Sequence, residues 1–234
     1  MSIVKADALV IKGFRYGDSS KIITVFSREF GKFNALVKST RNLKSRTSGV
    51  FDNLNRISVF FNRKENRDLQ FFSKGDCINS YPGIKNSLDR LSTAYRIAEL
   101  INYCTQDYDT NDELYDLIEE CMAALDTVKG DCKANLVYFQ ANLTKTLGIK
   151  PDLVDMNLID NVRKNETFKS ANALKLSTIE CQTVNSFWER RMDISGVDEI
   201  NFEQISDKFD GYLSGHLDMG RNLKTKNIFH ELNF

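Results

Sequence analysis

The sequence predicts an α+β protein in which a small β-barrel comes first and helices follow. Three observations predict it. Five short segments of strand character fill about the first 75 residues, with the longest connection after the third. Pro82-Gly83 then breaks the chain. Beyond the break, apolar residues recur at helical spacing. The strand layout is that of a five-stranded OB-fold barrel over residues 1–80, ahead of a helical domain over 81–234. On strand counting alone, an SH3-like barrel is the rival.

Asp7 to Phe14 is the first strand, with Ala8, Val10, Lys12 and Phe14 on one side and Leu9, Ile11, Gly13 and Arg15 on the other. The turn Arg15-Tyr16-Gly17-Asp18-Ser19-Ser20 leads to a second strand, Lys21 to Ser27. In Glu29-Phe30-Gly31-Lys32, Gly31 supplies a residue able to take positive φ where the hairpin reverses. The third strand alternates Phe33, Ala35 and Val37 against Asn34, Leu36 and Lys38. Strands from Asn55 to Phe61 and from Leu69 to Lys74 follow, joined by a polar tip.

Leu88, Leu91, Tyr95, Ala98 and Ile101 mark a helix. Thr110-Asn111-Asp112-Glu113 reads as a capping box with Thr110 as N-cap, opening a second helix with the stripe Leu114, Leu117, Ile118, Cys121 and Leu125, ended by Gly130. Leu136, Phe139, Leu143 and Leu147 mark a third, closed by Gly148 and barred from continuing by Pro151. These three are expected to form one bundle. Residues 152–176 lapse into an irregular polar insert with room for a small hairpin. Ser177-Thr178-Ile179-Glu180 is a second capping box, and Asn201-Phe202-Glu203-Gln204 starts a last helix.

The formal net charge is zero, but it is unevenly spread. Residues 1–80 hold fifteen basic and seven acidic side chains, a balance of +8, and the remainder carries −8. A basic first third suggests a polyanion-binding module joined to one with another task. The five cysteines are widely spaced with no Cys-x-x-Cys pair, which gives neither a zinc site nor a disulfide framework. Neither a signal pattern nor an apolar run of spanning length occurs, so a cytoplasmic protein is expected.

The candidate interface centres on Ser39 to Gly49, a polar loop with Arg41, Lys44 and Arg46 and no acid. With Lys38 it places four positive charges within nine positions, suited to neutralising phosphates. Small barrels bind single strands with basic side chains along the backbone and exposed aromatics under the bases. Here Lys12, Arg15, Lys32 and Lys38 lie near Phe14, Tyr16, Phe30 and Phe33. A strand aromatic is more often core than platform, and Tyr16, in a turn, is the best placed of the four.

Taken in order and spacing, these features resemble the RecO family of bacterial recombination mediators. The matching pieces are Ala8-Leu9-Val10-Ile11 with Tyr16-Gly17-Asp18-Ser19-Ser20, the hairpin Phe26 to Lys32, and Leu36-Val37-Lys38 with Arg41 three on. The helix end Phe139, Leu143, Leu147-Gly148-Ile149-Lys150-Pro151 and the closing Tyr212-Leu213, His216-Leu217, Leu223-Lys224-Thr225-Lys226 complete the set. The resemblance implies binding of single- and double-stranded DNA and annealing of complementary strands. It also implies partnership with RecR and with the acidic, Phe-terminated tail of single-strand binding protein, in order to load RecA. It carries Lys38 and Arg41 over as DNA contacts, and Lys224 and Lys226 as a basic C-terminal signature. For the tail it implies an apolar groove with a cation for its carboxylates. Lys133, Phe139 and Leu143 on the third helix are the candidate wall, although Phe139 and Leu143 are more often core at this spacing. Many members carry a Cys-x-x-Cys zinc finger where this chain has Asp152-Leu153-Val154-Asp155-Met156-Asn157, so no metal is expected.

No phosphate loop, nucleophile elbow or metalloprotease helix is present, and no catalytic residue or cofactor is expected. Glu119-Glu120 point to different helix faces, and Asp152, Asp155 and Asp160 fall in the polar insert, so both groups read as solvated charge. A protein-only adaptor and a magnesium-dependent nuclease are the alternative functions.

Overall fold

The computed structural model describes residues 3–38, 49–64, 67–127, 131–157, 172–191 and 200–217. Their contacts divide into two compact units, parting after Thr127.

The first unit begins with β1 (Ile3–Tyr16), β2 (Ser20–Ser27), β3 (Gly31–Val37), β4 (Arg56–Asn62) and β5 (Leu69–Asn79). They close into a barrel in the order β1-β2-β3-β5-β4, and β4 pairs back to β1. All pairings are antiparallel except β3 beside β5. This is the OB-fold, and the parallel β3–β5 pairing sets the SH3-like alternative aside. Ala8, Val10, Ile23, Phe33, Ile57 and Phe61 are among the side chains filling the interior.

Two strands serve two sheets each. β1 pairs with β4 through Leu9 and with β2 from Ala8 onward, and β5 pairs first with β3 and then with β4. Register shifts mark the changeovers, between Val10 and Lys12 in β1 and between Phe60 and Phe61 in β4. The first of these corrects the expected alternation of β1. Ala8 and Val10 remain in the core, but the bulge reverses the phase, so Lys12 pairs with outward-facing Thr24 and Phe14 with Ile22.

After the barrel come α1 (Pro82–Lys85), α2 (Leu88–Cys104) and α3 (Asp112–Thr127), all within the first unit. The cap of α3 is Asn111, one residue later than expected: its Oδ1 accepts from Leu114 N at 2.9 Å, and its carbonyl accepts from Tyr115 N. α3 covers an outer row of the barrel formed by Phe26, Leu9 and Arg56, which are neighbours across β2, β1 and β4. Tyr115 stacks on Phe26 with centroids 6.5 Å apart, Glu119 meets Arg56 Nε at 2.7 Å, and Asp116 pairs with Arg28. Gly31 sits at φ +63°, as its turn requires, and a Cβ there would lie 2.0 Å from Asp109 O.

The second unit holds α4 (Cys132–Thr146), β6 (Asp152–Asp155), β7 (Ala173–Leu176), α5 (Thr178–Trp188) and α6 (Phe202–His216). α4 packs on α5 and α6, which corrects the expected bundle of the first three helices. Apolar periodicity identifies a stripe but not its partner: α3 packs with α1 and α2 and meets the barrel through Tyr115, Asp116 and Glu119, whereas α4 is buried almost all round. The amide nitrogens of Gln140 and Asn142 in α4 are answered inside this unit. Gln140 donates to Asp210 Oδ1 at 2.7 Å, Asn142 donates to Phe187 O at 2.9 Å, and the Trp188 indole donates to Ala141 O at 2.7 Å.

At the end of α4, Gly148 takes φ +72°, with Gly148 N donating to Lys145 O and Ile149 N to Thr144 O, the double bond of a Schellman closure. The capping box at Ser177 and Glu180 and the Asn201 cap form as the sequence implies. β6 and β7 pair in parallel, Asp152 opposite Ala173, so the ends of the insert form no hairpin. Gly130 lies outside the described residues.

Candidate nucleic-acid interface

The sheet made of the second half of β1, β2, β3 and the start of β5 has an open outer face. Cross-strand register arranges it in rows. One runs Lys12, Thr24, Asn34, Leu69, and the next runs Phe14, Ile22, Leu36, Phe71. A third holds Tyr16 and Ser20, and one further step along the β2–β3 register brings Lys38 beside Ser20. Phe14, Tyr16 and Phe71 are 51%, 55% and 43% exposed, high values for aromatic residues in strands. Lys12, Arg15 and Lys38 are exposed as well.

The cations of the first unit fall into two groups. Arg28, Lys32 and Arg56 are matched by Asp116, Asp107 and Glu119, from α3 and the segment before it. Lys32 is 9% exposed, and its Nζ donates to Asn102 O at 2.7 Å and Thr105 O at 2.5 Å, at the C-terminal end of α2. Lys21 donates to Phe51 O and lies 3.7 Å from Asp52; burial holds its pKa below the ordinary lysine value, and Asp52 offsets this in part. Among the described residues, no carboxylate pairs with Lys12, Arg15 or Lys38. The other sheet is mixed in charge: outward rows there hold Lys5, Phe60 and Lys74 next to Asp7, Ser58 and Asp76. On the open aromatic face itself, Lys12 and Lys38 thus stand without a carboxylate partner among the described residues.

Two family models match the chain. Residues 1–81 match the one described as Recombination protein O N terminal, and residues 85–221 match Recombination protein O C terminal. The chain belongs to the RecO family. Similar RecO sequences include the DNA repair protein RecO of Chlorobium limicola, 34% identical over 151 residues. That of Chlorobaculum parvum is 32% identical over 151 residues, and that of Chlorobium phaeobacteroides strain BS1 is 30% identical over 151 residues. Each match takes in 64% of this chain and 58% of the relative.

Of the contacts the sequence suggests for a RecO protein, Lys12, Arg15, Tyr16 and Lys38 are brought to one sheet. Arg41, Lys44, Arg46, Lys224 and Lys226 lie outside the described residues. Phe33 is 1% exposed and belongs to the barrel core, and Phe30 packs against that core, so neither is a platform. Phe139 and Leu143 are fully buried in the second unit and offer no surface for a groove wall, because α4 is enclosed by α5 and α6. Lys133 is exposed and pairs with Glu203 at 2.7 Å.

Sequence reasoning passed over Phe71 and Arg67. Arg67 lies over the Phe71 ring, Cζ 5.7 Å from its centroid. A signal existed: adjacent strand residues face opposite sides, so Phe71-Phe72 must put one ring outside, as must Phe60-Phe61. Which ring goes out, and onto which sheet, follows from the parallel pairing of β5 with β3.

Proposed function

We propose that this chain is a DNA-binding recombination mediator of DNA repair that anneals complementary strands without covalent chemistry. The observation that carries the reading is the pair Lys12 and Lys38, unmatched by described carboxylates, on the same face as exposed Phe14 and Tyr16, with exposed Arg15 between those two rings in the chain. Two DNA strands repel through their phosphates. A basic surface that lowers the repulsion and leaves base edges open speeds pairing. Arg41, Lys44 and Arg46 continue the charge of Lys38 along the chain, and Lys224 and Lys226 add a second basic group. The RecO family match supports the role. On this reading single- and double-stranded DNA are its ligands, and RecR and the tail of single-strand binding protein are its partners in loading RecA. The protein then works in the cytoplasm, on the nucleoid.

A fluorescence-annealing assay across a salt series, with and without magnesium, tests the proposal. Binding and annealing are expected to weaken steeply with salt. Lys38→Glu combined with Arg41→Glu removes most of the acceleration, and Lys12→Ala lowers the salt slope by about one phosphate. No binding at moderate salt would indicate a protein adaptor, and cleavage abolished by a chelator would indicate a nuclease. Either outcome overturns the proposal.

A further inference from the structure

The tip between β4 and β5 is fixed rather than loose at its β5 end. Gln70, 2% exposed, donates through Nε2 to Lys64 O at 2.9 Å and Arg67 O at 3.0 Å, and accepts from Lys64 N at 3.1 Å. The Tyr108 hydroxyl donates to Arg67 O at 3.1 Å. These bonds hold the Arg67 backbone in place, with Phe71 at the β5 end of the row that starts at Phe14. Ile22 and Leu36 between them are shorter and better buried, so two exposed rings flank a shallow aliphatic floor. With strands about 4.8 Å apart, the row spans on the order of 14 Å along the sheet, enough for more than one base.

Resting on the DNA-binding reading above, we propose that Phe71 and Arg67, together with Phe14, form a base-stacking ledge that makes this sheet selective for single-stranded DNA over duplex. The unmatched Lys12 and Lys38 on the same face as the ledge suit a polyanion. Its rings offer π-faces, which only an unpaired base can meet, since bases in a duplex are already stacked on their neighbours. An incoming base takes the place of the guanidinium on the Phe71 ring and frees it for the adjoining phosphate. Held by its face, the base keeps its hydrogen-bonding edge open to a complement. The ledge therefore serves annealing as well as binding.

The test uses the full chain, with fluorescence anisotropy on an oligothymidylate and on a duplex of equal length, across a salt series. Phe71→Leu and Phe14→Leu keep apolar bulk and remove the π-face. Each is expected to weaken oligothymidylate binding roughly tenfold while duplex affinity and salt slope stay unchanged. Arg67→Ala is expected to lower the single-strand salt slope by about one phosphate. Phe71→Trp keeps the affinity, and its indole emission is quenched when oligothymidylate binds. Equal losses on both DNA forms, no loss on the single strand, or an unquenched indole would overturn the ledge. An unsubstituted chain that binds neither form would overturn the DNA-binding reading and the ledge with it.

Discussion

At the scale of single residues, the same side-chain type serves two ends in this barrel, and burial separates them. Lys12 and Lys32 are both strand lysines of the basic first third, yet Lys12 is exposed and Lys32 is enclosed beneath the end of α2. α2 has no basic residue in its own last turn, and Lys32 supplies the missing donor from β3. Lys32→Met would leave two carbonyls short of a donor and is expected to lower stability by about 2 kcal/mol in urea unfolding, with little effect on DNA binding. Burial also governs two tyrosines. Loss of solvation, partly offset by Arg56, pushes the Tyr81 hydroxyl up to about 12, and Tyr115 is raised for the same reason. The unfolded chain gives up these protons near pH 10 and the folded chain does not. Stability is thus unaffected by them below that pH and falls as pH climbs from about 10 toward 12. Lys21, with a depressed pKa, works in the opposite direction in the alkaline range. Denaturant midpoints measured from pH 8 to 11.5 should show the fall, and Tyr81→Phe should make it shallower.

At the scale of elements, boundaries depend on which side chain reaches an unpaired backbone group. Thr110 and Asn111 are both competent caps by residue type, and the geometry selects Asn111. Asn111→Ala is expected to cost about 1 kcal/mol, and Thr110→Ala to stay within about 0.5 kcal/mol of the unsubstituted chain, both read from chemical denaturation. The bulge in β1 has the larger consequence, since one extra residue turns Lys12 and Phe14 from the core side to the open face. Strict alternation predicts the opposite placement. The placement of Lys12 thus rests on a backbone irregularity that no periodicity reveals. Gly148 and Ser177, by contrast, were legible, because their closures use bonds between residues three to five apart.

At the scale of the whole molecule, α1 to α3 belong with the barrel that precedes them. Phe26, fully buried, and Leu9, 3% exposed, lie in the outer row that α3 covers. A fragment of residues 1–127 is expected to unfold cooperatively, whereas residues 1–80 alone would expose this row and aggregate. Sedimentation and thermal unfolding of the two fragments check this. α3 also sorts the charge of the first unit, since Asp116 and Glu119 satisfy Arg28 and Arg56, while Lys12 and Lys38 on the open sheet have no described carboxylate partner.

The sequence by itself determined the five strands of the barrel, the turn at Gly31, several helix ends and the basic bias of the first 80 residues. Each of these is encoded by neighbours in the chain, through alternation, capping and closure. Only the tertiary structure decided which cations stay unmatched, that Phe71 shares a row with Phe14, and that α4 is a central helix. Those outcomes depend on pairings between residues far apart in the chain, such as β5 with β3 and Glu119 with Arg56. Local pattern carries no record of such partners, because one apolar stripe or one lysine satisfies many of them equally well.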